Sequence, residues 1–172
     1  MTSLFAPAEV RTAVELLASR PLIRLVTEID DNGAIPPRRL ANTLPDLPRY
    51  QQRSATEAAR AHGLVWTAPG TGLELTEPGS ELADLYDAAA RCARRHAYPT
   101  LVCEFSSRIR HVFDLLTPSL VAQDADGSSW PSGARLSSAE AVADLGRVRA
   151  LLIQWLAANP QVTWISEPEP VA

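Results

Sequence analysis

The stretch RRLANTLPDLPRYQQRSATEAARAHGLVWTAPGTGLELTEPG, Arg38–Gly79, decides how this chain is read. It opens on a short helix, Arg38–Leu44, which Ile35-Pro36-Pro37 introduces. Leu44-Pro45-Asp46-Leu47-Pro48 is a turn, since two prolines in five residues interrupt any helix. A longer helix follows over Arg49–His62, and Gly63 ends it as a glycine just past a helix C-terminus. Leu64–Thr67 and Leu73–Thr76 are short strands. Between them Ala68-Pro69-Gly70-Thr71-Gly72 makes a hairpin loop. Glu77-Pro78-Gly79 starts another helix, which runs to about His96.

Outward from this stretch the chain reads as helices. Val10, Val14 and Leu17 share one face of a first helix, Pro7–Ala18. Leu22, Leu25, Val26 and Ile29 follow at i, i+3, i+4, i+7, an amphipathic helix that stops at Asp30-Asp31-Asn32-Gly33. Downstream, Tyr98-Pro99 predicts a break, because a residue before proline avoids helical geometry. Thr100–Leu116 is a further helix, and Asp124–Gly133 is a polar loop. Ser137 and Glu140 form a capping box for the last helix, which runs to Asn159-Pro160. Ala141, Leu145, Val148, Leu152 and Trp155 alternate spacings of four and three, a coiled-coil-like seam suited to a dimer contact.

Three helices followed by a β-hairpin is the plan of a winged helix-turn-helix. The DNA major groove is about 12 Å wide and admits one helix. A preceding helix braces it across the backbone, and the hairpin reaches a neighbouring phosphate or groove. Three stretches carry a family resemblance: Arg39–Pro48, Ala61-His-Gly-Leu-Val65, and Leu75-Thr-Glu-Pro-Gly-Ser-Glu-Leu82. Together they resemble the HxlR-type winged-helix regulators, relatives of the MarR type, over roughly Val14–Leu85. The resemblance implies a homodimeric, DNA-binding transcriptional regulator that reads a pseudo-palindromic operator. It makes Pro37–Leu44 the scaffold helix and Arg49–His62 the recognition helix. Arg49, Tyr50, Gln51, Arg53 and Ser54 would then face the bases, and Arg38 and Arg39 would lie near phosphates. Arg suits guanine and Gln suits adenine in bidentate fashion, whereas phosphate contacts position without reading sequence.

The sequence departs from that family's pattern in several places. Pro48 stands where a serine usually caps the recognition helix, and proline cannot supply a side-chain cap. Gln52, Thr56 and Ala59 stand where leucines anchor it. Losing a buried leucine to alanine costs about 2–5 kcal/mol, which predicts a weakly held helix unless its neighbours move inward. The hairpin tip, Ala68–Gly72, has no arginine, and the family's usual cysteine near the start is absent. A second expectation therefore stands beside the first: a degenerate winged helix used for protein contacts or dimerisation, without DNA. Certain actinobacterial O-methyltransferases carry an N-terminal dimerisation domain of similar plan. This chain has no glycine-rich S-adenosylmethionine site and would match only that accessory part.

Charge bears on the choice. The chain has 172 residues, sixteen basic and twenty acidic, for a formal net charge of -4. Every basic residue is arginine, which a GC-rich genome explains through its codons. A net acidic chain argues against nucleic acid until the charge is placed. Arg38, Arg39, Arg49, Arg53 and Arg60 face only Asp46 and Glu57 between Asn32 and His62. A second basic island, Arg91–Arg110, follows an acidic block, and solvated helix faces would explain both islands as simply.

Other candidates lie outside the hairpin module. Phe105, Phe113 and Trp155 are read either as dimer core or as the lining of a small-molecule effector pocket. Arginine neighbours lower a thiol pKa, so Cys92, beside Arg91, Arg94 and Arg95, is a redox candidate with Cys103. An inert helical thiol is the other reading. His62, His96 and His111 show no metal-ligand spacing, and Asp124–Ser128 fails as a calcium loop because its twelfth position is Arg135. No common catalytic motif is present, so no enzyme, metal or cofactor is expected. No apolar run is long enough for a membrane span, no signal peptide is read, and two cysteines suit a reducing cytoplasm. The expected fold is mainly α with a small β-hairpin wing. It comprises a winged helix-turn-helix domain over 1–90, a helical dimerisation and effector region over 91–160, and a flexible acidic tail over 161–172.

Overall fold

The helices begin where the sequence supplies a reason to begin. The computed structural model describes residues 6–96, 104–121 and 139–163. Helix α1, Pro7–Leu17, has proline at its first position, and the Glu9 carboxylate accepts the Ala6 N–H at 2.8 Å. Both devices deal with backbone groups that a helix start leaves open. Helix α2, Arg20–Asn32, ends at Gly33, whose φ of 81° suits glycine. Helix α3 is only Leu40–Thr43, shorter than the expected Arg38–Leu44. The Arg39 N–H bonds the Pro36 carbonyl at 2.8 Å, so Arg38 and Arg39 lie in a tighter turn ahead of it.

Helix α4 spans Arg49–Ala61, and strands β1, Val65–Ala68, and β2, Gly72–Leu75, pair antiparallel. The register sets Val65 opposite Leu75 and Ala68 opposite Gly72. Ile35 adds a short third edge, exchanging both backbone hydrogen bonds with Leu73 at 2.9 and 3.0 Å. That bridge ties the chain ahead of α3 to the hairpin. Thr76 begins helix α5, Glu77–Arg95: its hydroxyl accepts the Gly79 N–H at 3.2 Å and donates to the Gly63 carbonyl at 2.6 Å. Helix α6, Phe105–Val121, continues through Pro118, beyond the expected end at Leu116. The Ser119 carbonyl there accepts from the Arg149 guanidinium at 3.1 Å. Helix α7 spans Ala139–Ala158.

One hydrophobic core runs through all of this. It includes Leu17 of α1, Leu25 of α2, Leu82 and Tyr86 of α5, Phe113 of α6 and Leu152 of α7. Helix α5 is its axis, packed against α2, α6 and α7. The boundary expected at residue 90 therefore falls inside α5, with one core on both sides of it. The seam Ala141, Leu145, Val148, Leu152 and Trp155 is buried to 5% exposure or less, and α7 packs on α5 and α6 of its own chain. A period of 3.5 marks an apolar face and does not say whose helix covers it. Residues 161–163, expected to open the flexible tail, are packed instead. Pro160–Val162 form a 3₁₀ turn, Val162 and Thr163 are buried, and His62 Nδ1–H donates to the Gln161 carbonyl at 3.2 Å. Tyr98-Pro99, the Asp124–Gly133 loop, Ser137 and the end of the tail lie outside the described residues.

Gly79 sits where α5 crosses the chain entering β1, and a Cβ there would collide with the Leu64 carbonyl oxygen. Gly79→Ala is expected to lower the unfolding free energy by about 1–3 kcal/mol, as overpacked sites do. Urea unfolding followed by far-UV circular dichroism checks this; an unchanged midpoint would show that the backbones part at no cost.

Candidate nucleic-acid interface

Helix α4 is held from below by a face that is short on hydrocarbon. Its buried residues are Gln52, Ala55, Thr56 and Ala59. No side chain caps its start, in keeping with Pro48. Gln52 does the anchoring that a leucine would otherwise do. Its Nε2 donates to the Leu44 carbonyl at 2.8 Å and to the Leu47 carbonyl at 2.9 Å, using both amide hydrogens on the turn before α4. Thr56 Oγ1 donates back to the Gln52 carbonyl at 2.8 Å. Leu44 and Leu47, both buried, supply the apolar weight from the turn. In place of the leucines of the family pattern, α4 has a polar clasp and the buried Leu44 and Leu47 of the turn before it.

A second clasp holds the same turn from outside. Arg24 grips Asp46 with two bonds, Nε to Oδ2 at 3.0 Å and Nη2 to Oδ1 at 3.1 Å. Arg20 Nη2 reaches the same Oδ2 at 3.1 Å, and its Nε reaches Glu104 at 3.2 Å. The Arg24 hydrogen bonds, and then the charges of Arg24 and Arg20, hold the Asp46 carboxyl below its ordinary value against its partial burial. Asp46 had been counted against the basic island. It is engaged by α2, which leaves Arg38, Arg39, Arg49, Arg53 and Arg60 facing Glu57 alone.

Above these clasps α4 stands as a ridge between two grooves. Arg49, Arg53 and Arg60 line the groove toward α3 and the hairpin, about 330 Å³ in volume, where Ile35, Leu40 and Leu73 contribute apolar wall. Arg60 Nη2 donates to Thr67 Oγ1 of β1 at 2.8 Å. Tyr50, Gln51 and Ser54 line the groove toward α1 and α2. Tyr50 is 71% exposed, and its hydroxyl accepts from Gln51 Nε2 at 3.0 Å. Arg38 and Arg39 are exposed ahead of α3. The residues expected to read DNA thus lie along α4 and just ahead of α3. Trp66 of β1, on the hairpin, is 48% exposed, a large aromatic that no sequence motif marks.

The other sequence candidates are placed differently. Phe113 is fully buried and packs on Tyr86, ring centroids 6.1 Å apart. Trp155 Nε1 donates to the Pro78 carbonyl at 3.1 Å, and Phe105 is partly buried against the core. Phe113 is thus a core residue, whereas Trp155, mostly buried, also lines a groove between α5 and α7. Burial, and then the Asp144 charge, push the Cys92 thiol above its ordinary value despite Arg95. That is opposite to the lowering the neighbouring arginines suggested, and Cys103 lies outside the described residues.

A cluster that no motif announced closes the far end of α5. Asp144 of α7 is buried and accepts from His96 Nε2–H and from Arg95 Nη1, each at 2.8 Å, and from Arg147. The hydrogen bonds from His96 and Arg95 hold its carboxyl below the ordinary range. Among the described residues no group of His, Cys, Asp and Glu could hold a metal ion, and no helix is long and apolar enough to cross a membrane. The chain matches no family model, no curated protein and no solved structure.

Gln52→Leu is expected to destabilise the fold by about 1–3 kcal/mol although it adds hydrocarbon, since it removes the side-chain donor of the Leu47 carbonyl and one of the two donors of the Leu44 carbonyl. A gain in thermal midpoint would show that the clasp contributes nothing. The two depressed carboxyls carry a pH dependence of fixed sign. Their stabilisation is complete above the unfolded value, about pH 4, and is lost as pH falls through the lower folded values. Unfolding free energy should fall from about pH 4 downward, and Asp144→Asn should flatten that acid limb while lowering stability at neutrality. Urea titrations at stepped pH measure both.

Proposed function

We propose that this chain is a DNA-binding transcriptional regulator. It acts as a homodimer that sets one α4 in the major groove of each half of a pseudo-palindromic operator. The observation that carries the reading is the ridge: the first two turns of α4 present Arg49, Tyr50, Arg53 and Ser54 outward, while the turn before α4 is clasped by Gln52 and Asp46. In this reading α3 to β2 is a winged helix-turn-helix, of the kind the HxlR-type resemblance implies. Arg49 and Arg53 meet base edges or phosphates from the α3 side of the ridge, and Tyr50, Gln51 and Ser54 from the other. Arg38, Arg39 and Arg60 supply phosphate contacts along the flanks. Half-sites lie about 10 bp apart, or a multiple of that.

A second reading has one observation of its own. Tyr50 and Trp66 are large, exposed and aromatic, and the hairpin tip, Ala68–Gly72, carries no arginine. Exposed aromatics without a basic tip suit a protein partner on this end of the molecule.

Fluorescence anisotropy with the DNA upstream of the chain's own gene separates the two. Binding should weaken steeply with salt, because each neutralised phosphate releases counterions. Arg53→Ala should cost about 1–3 kcal/mol on the specific site and relax preference there. Absence of binding even at low salt would remove the DNA reading and leave the protein-contact one.

A further inference from the structure

Helix α5 carries a charge pattern that reverses about its own midpoint. Counted from Ala88, Glu81 and Asp84 lie seven and four residues before it, and Arg91 and Arg95 three and seven after it. At about 100° per residue these five positions fall on one face. That face borders a groove of about 400 Å³ between α5 and α7. Leu85, Trp155, Ala158 and Leu151 supply its apolar floor, and Glu81, Asp84 and Arg91 its rim. Leu151 is 46% exposed, and the other exposed large hydrophobics among the described residues, Tyr50 and Trp66, sit at the α4 and hairpin end. Leu151 flanks the α7 seam, one turn before Trp155, and stays exposed where the seam residues are buried within the chain.

The two helices run antiparallel. Trp155 bonds the Pro78 carbonyl at one end, and Asp144 bonds Arg95 and His96 at the other. Leu151 therefore lies near the level of Leu85, about one turn from Ala88, the centre of the charge reversal, and all three line the same groove. We propose that the α5–α7 face seats a second copy of this chain, related by a two-fold axis passing near Ala88 and Leu151. Such an axis lays α5 antiparallel on its counterpart. Arg91, 63% exposed and 4.0 Å from its own Asp87, then opposes the Asp84 of the second copy, and Arg95, 59% exposed beyond its bond to Asp144, opposes its Glu81, each pair occurring twice. A parallel arrangement would set acid against acid and arginine against arginine, which costs several kcal/mol. An isologous interface requires a self-complementary surface, and a stripe that changes sign about its middle is one. An apolar centre under a charged rim is the usual anatomy of such contacts. Two helices of this length side by side offer a flat footprint of about 28 Å by 20 Å, or about 560 Å², against the roughly 800 Å² of accessible surface per partner that stable pairs bury, so side chains at the rim must add to the contact.

The proposal deepens the homodimer of the functional reading and rests on it for stoichiometry alone. Sedimentation equilibrium of the full chain is the test. The wild-type chain should be a dimer. Leu151→Asp should raise the dimer dissociation constant about 30-fold or more, as loss of a central contact does, with an unchanged circular dichroism spectrum. Arg91→Glu and Asp84→Arg should each weaken the dimer, and an equimolar mixture of the two variants should associate more tightly than either alone, since both facing pairs are then opposite in sign. These three positions touch solvent, and recovery in the mixture cannot come from misfolded chains. A monomeric wild type, a dimer indifferent to Leu151→Asp, or a mixture no tighter than its components would overturn the proposal. Anisotropy on the same variants keeps the two readings apart. DNA binding with any of those three outcomes removes this face and keeps the regulator, whereas a dimer through this face without DNA binding does the reverse.

Discussion

The carboxamide of Gln52, buried beneath the turn between α3 and α4, is the contact on which the exposed end of the molecule depends. A turn with two prolines leaves carbonyls that no helix or strand can serve, and an unpaired buried carbonyl is costly. Gln52 meets the Leu47 carbonyl and adds a second donor to the Leu44 carbonyl, which also accepts the Leu47 N–H at 3.1 Å. The angle between α3 and α4 follows from that pairing, and so does the height at which Arg49, Tyr50 and Arg53 stand. Asp46 makes the same turn fast to α2 from outside through Arg20 and Arg24. Exposed ion pairs are individually weak, but a doubly bonded arginine with a second arginine behind it also sets geometry.

Those two clasps change the electrostatics as well as the packing. With Asp46 neutralised by α2, the surface around α4 is more basic than its composition suggests. Net charge describes solubility and long-range steering, whereas a groove responds to the charges that line it. The acid that dominates the total sits elsewhere, much of it on the early turns of α5. The α4 end and the α5–α7 face are thus two separate surfaces with different chemistry. A two-fold pairing through the latter would leave α4 open for other contacts.

Helix α5 joins these surfaces. Its start is capped by Thr76, which also reaches back to the residue ending α4. Its middle carries Tyr86, whose hydroxyl donates to the Leu17 carbonyl at 2.7 Å across the core. Its end is closed on α7 by Asp144 with Arg95 and His96. The core is therefore continuous from α1 to α7, and the two regions read from sequence are halves of one packed body.

The sequence by itself determined the order of elements, most of their limits and the hairpin. Periodicity, prolines and glycines act within a few residues, where chain connectivity already supplies the geometry. Leu22, Leu25, Val26 and Ile29 announced α2, and Gly63 announced the end of α4, by local rules of this kind. The arginines of α4 were legible as surface for the same reason. Only the tertiary structure decided which apolar face meets which neighbour and which polar group meets which partner. Gln52 reads as a lost leucine until the Leu44 and Leu47 carbonyls stand over it. The α7 seam reads as a dimer contact until α5 and α6 cover it, and Asp144 reads as a surface acid until Arg95 and His96, 49 and 48 residues earlier in the chain, meet it. These pairings join residues far apart in sequence. Their energies depend on burial and approach, which no local pattern encodes.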